Sequence, residues 1–100
     1  MNRKLSDKII TTHPVSGRKM NIDSTIYNSF KAVILKSLKG SKGKTFTELN
    51  NDVNKIIKKQ LSGFNGSVSW YTITIRLDLE AKGIIETFVL NGKKLAKIRK

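Results

Sequence analysis

The side chains able to do acid–base, nucleophilic or metal chemistry are few and scattered in this 100-residue chain. His13 is the only histidine, and there is no cysteine. A lone imidazole with few acids nearby makes neither a metal cluster nor a base beside a nucleophile. Without thiols, disulfides and thiolate metal sites are excluded. The 7 Asp and Glu include no pair spaced for joint acid–base work. Gly40, Gly43, Gly63 and Gly66 read as turn glycines and match no phosphate-cradling loop. The expectation is a binding protein, with no catalytic residues, no metal and no cofactor.

Positive charge is what the chain has in quantity. Twenty Lys and Arg stand against 7 Asp and Glu, a net charge of +13. A domain so basic attracts polyanions, nucleic acid first. Sixteen of the cations are Lys and four are Arg. Lys neutralises phosphate as a point charge but lacks the planar fork that reads bases. The same lysines therefore also suit a solvated surface. A membrane surface fits poorly, because no amphipathic helix pairs a basic face with a large apolar one. No apolar run reaches membrane-spanning length and the N-terminus lacks a signal-peptide core, so a soluble cytoplasmic chain is expected. An apolar content of 38% supports one packed domain.

Residues 67–90 decide how that charge is displayed, and two readings compete there. Tyr71, Ile73, Ile75, Leu77 and Leu79 alternate with Thr72, Thr74, Arg76, Asp78 and Glu80, the mark of a half-buried strand. The ends read as a helix. Ser67 can cap it, Lys82 sits in the last turn, and Gly83 stands where a left-handed C-terminal cap is needed. On a helical wheel, Val68, Thr72, Ile75 and Leu79 share one face. The block from Leu79 to Ile85, a leucine and charged residues leading through Gly83 into an apolar pair, resembles the end of the recognition helix in winged helix-turn-helix domains, and that resemblance favours the helical reading.

Residues 1–22 form an N-terminal extension and 23–100 the domain. In the extension, 7–12 is compatible with a short strand, and 13–19 is a basic turn containing Pro14. It is either a strap across the domain or an arm along phosphates; Ile9, Ile10, Val15, Met20 and Ile22 favour the strap. The first helix is capped by Asp23 or Ser24 and stops at Gly40, with Tyr27, Phe30, Val33, Ile34 and Leu38 on one face. Thr45 and Phe46 suit a short strand. Thr47 caps a second helix over 48–60, with Leu49, Val53 and Ile56 or Ile57 inward. A turn anchored by Phe64 and running through Asn65 leads to the third helix. Asn91-Gly92 then marks a tight hairpin between 84–90 and 93–99, whose second strand carries Lys93, Lys94, Lys97 and Arg99, followed by Lys100.

Thr47-Glu48-Leu49, the turn before Ser67, and Leu79-Glu80-Ala81-Lys82-Gly83-Ile84-Ile85 resemble the winged helix-turn-helix family over about residues 23–99. The fold implied is α+β, three helices plus a C-terminal β-hairpin wing. The block from Trp70 to Gly83 also looks like a group of small uncharacterised bacterial proteins, which brings no function. The winged-helix resemblance implies binding of double-stranded DNA, in transcription regulation or an accessory role. The third helix would enter the major groove with Ser67, Ser69, Thr74 and Arg76 near bases or phosphates. The wing would lie on the flanking backbone through Lys93, Lys94, Lys97 and Arg99.

One feature departs from that family's pattern. Trp70, Ile73, Leu77 and Ala81 form a second apolar stripe, and a helix apolar all round is normally buried all round. The extension docks there through Ile9, Ile10 and Val15; or a second subunit covers it, making Trp70, Ile73 and Leu77 a homodimer interface; or the stretch is a strand. The rival to DNA binding is a winged-helix module that binds protein instead.

Overall fold

The computed structural model describes residues 8–13, 16–61, 63–64 and 66–99; the expectations on Asp7, Pro14, Val15, Ser62, Asn65 and Lys100 lie outside them. The order is β1 (Lys8–Thr12), β2 (Lys19–Asp23), α1 (Ser24–Leu38), α2 (Phe46–Gln60), α3 (Val68–Ala81), β3 (Ile85–Leu90) and β4 (Lys93–Ile98). The architecture is α+β, with three helices and two antiparallel strand pairs, β1–β2 and β3–β4.

Each helix begins on a side-chain cap. Asp23 closes β2 and accepts from the Thr25 and Ile26 amides, so the first hairpin runs directly into α1. Thr45, rather than the expected Thr47, caps α2. Its hydroxyl accepts from the Glu48 amide while Glu48 accepts from the Thr45 amide, a reciprocal capping box. The strand expected at Thr45 and Phe46 shrinks to one bridge, Lys44 to Ala96, with amide-to-carbonyl distances of 2.9 and 2.8 Å. Ser67 caps α3 by accepting from the Trp70 amide at 3.1 Å. Gly83, at φ +78°, ends it: the Ile84 amide donates to Leu79 and the Gly83 amide to Glu80.

Residues 68–81 are therefore helical, and packing decides it. Thr72, Ile75, Asp78 and Leu79 are fully buried while Ile73 is 38% exposed, a pattern no alternating strand produces. Tyr27, Phe30, Val33, Ile34 and Leu38 from α1 meet Leu49, Val53 and Ile57 from α2 and Ile75 and Leu79 from α3. Phe64 and Tyr71 stack near Phe30, at centroid distances of 5.7 and 5.4 Å. A Cβ at Gly66 would lie 2.8 Å from the Phe64 ring and 3.0 Å from the Tyr71 ring, so a larger residue there would displace these rings. Asn91 (φ 53°) and Gly92 (φ +78°) make the two-residue turn that joins β3 to β4.

Asp78 ties the elements together. Its carboxylate is fully buried. It accepts the Thr12 amide of β1 at 2.8 Å, the Tyr27 hydroxyl of α1, and the Lys82 ammonium at 2.5 Å. The first hairpin is thus fastened to α3 by a hydrogen bond as well as by Ile22, which reaches the core. Asp78→Ala strips all three donors of their acceptor at once, and we expect a loss of about 3 kcal/mol in the unfolding free energy, measured by urea denaturation.

Candidate nucleic-acid interface

Most of the basic surface has no compensating acid, because the acids are engaged elsewhere. Asp23 caps α1 and Glu48 caps α2. Asp78 is in the buried network. Asp52 holds Lys44 at 2.6 Å and accepts from Ser37 at 2.7 Å. Those two hydrogen bonds, the Lys44 one foremost, pull the Asp52 carboxyl below its ordinary range. Glu80 accepts from Thr87 and lies 3.8 Å from Arg76. Glu86 pairs with Lys97 across the β3–β4 ladder at 3.4 Å.

The residues expected on DNA divide into three groups. Lys93 and Lys94 are exposed beside the Asn91-Gly92 turn, with no ion pair among the described residues. Arg99 is also exposed, just past β4, where its amide donates to Ile84. Ser67 and Ser69 are exposed at the start of α3, although the Ser67 hydroxyl is already the helix cap. Lys97 and Thr74 are half-buried. Lys97 is held by Glu86 and lies 5.4 Å over the Phe88 ring, and Thr74 lines a groove beside the first hairpin.

Arg76 is the correction. It is 8% exposed rather than displayed. Its helical position turns it towards the second hairpin, where it lines a small cavity with Phe46, Thr87 and Lys94. Its Nε has no hydrogen-bond partner among the described residues. Burial lowers its pKa, and the nearby Glu80 only partly offsets this. Among the interface candidates, Trp70 and Ile73 are 40% and 38% exposed and Leu77 is half-buried. The first hairpin reaches α3 beside Leu77 and Thr74, as a docked extension would. It leaves Trp70 and Ile73 open, and Ile10 is 56% exposed.

The Asp78 network was missed from the sequence. Asp78 and Lys82 stand at the spacing of a surface ion pair, which conceals a buried carboxylate. The only signal was Asp78 falling near Ile75 and Leu79 on the wheel. Burial raises the pKa of Tyr27, reinforced by the bond to Asp78 and opposed by Lys82. For Lys82, burial acts downward, but the bonds to Asp78 and Tyr27 outweigh it and its pKa rises. Folding therefore favours the protonated form of both groups. Their contribution is complete below the ordinary values of 10.0 and 10.5 and is lost as pH climbs through the higher folded values.

We expect thermal stability to hold from neutral pH to about 9 and to fall above about 10. Tyr27→Phe, though less stable throughout, should show a shallower alkaline decline in melting scans. Because Arg76 is poorly paired inside, Arg76→Met should change the unfolding free energy by less than about 1 kcal/mol and leave duplex affinity within about twofold. A base-reading arginine would instead lose about 1–3 kcal/mol of discrimination.

No helix among the described residues is long and apolar enough to cross a membrane. No curated protein and no solved structure matches the chain. The model of a family of unknown function, DUF6958, matches residues 8–95, and the chain belongs to that family.

Proposed function

We propose that the chain is a winged-helix module that binds double-stranded DNA chiefly through its phosphates, in a regulatory or accessory role. The observation that carries this reading is the exposure of Lys93 and Lys94, without an ion pair among the described residues, at the tip of a hairpin that directly follows α3. The order of three helices and a hairpin supports it, as does the Lys44–Ala96 bridge, which lays the chain before α2 along β4. The surplus of cations over committed acids supplies the long-range attraction.

Base reading is weak in this proposal. The outward positions of α3 are Ser69, Trp70, Ile73, Leu77 and Ala81, with no Arg, Lys, Asn or Gln to make a bidentate base contact. Ser67 and Ser69 contact phosphate or sugar, which orients the helix without selecting sequence. Lys93, Lys94 and Arg99 supply the phosphate contacts, and Lys97 joins them only by leaving Glu86.

The test is fluorescence anisotropy of labelled random duplex over a salt series. Three phosphate contacts give a log–log slope of about −3, and Lys93→Gln with Lys94→Gln should make it shallower by about 2. An unchanged slope would remove the wing from the interface. Affinities for unrelated duplexes should agree within about tenfold, below the preference typical of specific readers.

A further inference from the structure

The outward face of α3 is the least explained surface of the molecule. Trp70 and Ile73 are 40% and 38% exposed, and Met20 of β2 is 40% exposed. Beside them a groove of about 170 Å³ runs between the first hairpin and α3, lined by Thr11, Thr12, Met20, Thr74, Leu77 and Arg18. That volume suits one branched aliphatic side chain. Tyr71 meets the Trp70 ring edge-on at 4.9 Å between centroids, and Trp70 and Ile73 keep an exposed apolar shelf.

We infer that this shelf and groove dock an acidic amphipathic helix of a partner protein. Charge selects the acidic character. The described acids are all engaged in caps, ion pairs or the Asp78 network, whereas the exposed Arg18 lines the groove. Charge disfavours a second copy, which brings +13 against +13. Nucleic acid finds no cation on this helix face.

Spacing selects the helix. Trp70, Ile73 and Leu77 climb two turns of α3, about 10 Å, so a partner helix lying along it meets them with apolar residues one and two turns apart. Its anchor at one end enters the groove beside Leu77 and Met20. Its acidic flank faces Arg18, which gives orientation and salt sensitivity.

Trp70 is the chain's only tryptophan, so its emission reports the site directly. The probe is a synthetic amphipathic helix with leucines at helical spacing on a glutamate background, beside a twin carrying lysine for glutamate. With the full chain we expect saturable binding of the acidic probe, a blue shift of Trp70 emission, and at least tenfold weaker binding of the lysine twin. Ile73→Glu should weaken the acidic probe at least tenfold. Ser69→Glu, at an exposed position where folding is not at stake, should weaken it several-fold, while Lys93→Gln with Lys94→Gln leaves it nearly unchanged. Equal binding by native and Ile73→Glu proteins, with Ser69→Glu also unaffected, would overturn the inference. So would no binding, a concentration-dependent dimer that buries Trp70, or the same emission shift produced by duplex DNA.

Discussion

A buried carboxylate governs how this small fold is assembled. Taking Asp78 out of water is expensive, and the cost is offset only because three donors from three elements converge on it. The Thr12 amide brings the first hairpin, the Tyr27 hydroxyl brings α1, and Lys82 comes from the end of α3 itself. A chain of 100 residues has little core to spare, and this network adds directional contacts where apolar area is limited. It also fixes which surfaces adjoin. With Thr12 held to Asp78, Met20 comes to rest beside Leu77, and the groove along α3 exists.

The same economy shapes the exterior. Acids spent on caps, on Lys44, on Lys97 and inside the core no longer offset the lysines. The cations that remain unpaired are therefore a surface property with long reach. The second hairpin displays two of them, Lys93 and Lys94, beside its turn. Meanwhile α3 is buried on one side by Ile75 and Leu79 and presents Trp70 and Ile73 on the other. A helix so placed is better suited to an apolar partner than to bases. In the proposed reading the two surfaces divide the work, with phosphate attraction at the second hairpin and protein contact along α3.

Local signals in the sequence were reliable where a single residue had to do a single job. Asp23, Ser67, Gly83 and Asn91-Gly92 mark their boundaries because caps and tight turns depend on local hydrogen bonds and backbone freedom. The inward face of α1 was equally legible. The α2 cap lies at Thr45, two residues before the expected Thr47, and Thr45 with Glu48 three residues on is the reciprocal pattern that Thr47 lacks. Residues 68–81 were ambiguous because their β-branched residues fit an alternating strand as well as a helix. Packing of Thr72, Ile75 and Leu79 against two other helices settles the matter. Arg76 and Asp78 were beyond local reading. Arg76 is covered by a hairpin that arrives later in the chain, and Asp78 is satisfied by residues 51 and 66 positions away.

The division between wing and α3 is tested most directly by titrating the isotope-labelled protein with a random duplex and following amide and indole N–H resonances. The account predicts that Lys93, Lys94 and Arg99 shift, with smaller changes at Ser67 and Ser69. The Trp70 indole, Ile73 and Leu77 should stay in place. Shifts centred on Trp70 and Ile73, with the wing unmoved, would contradict it.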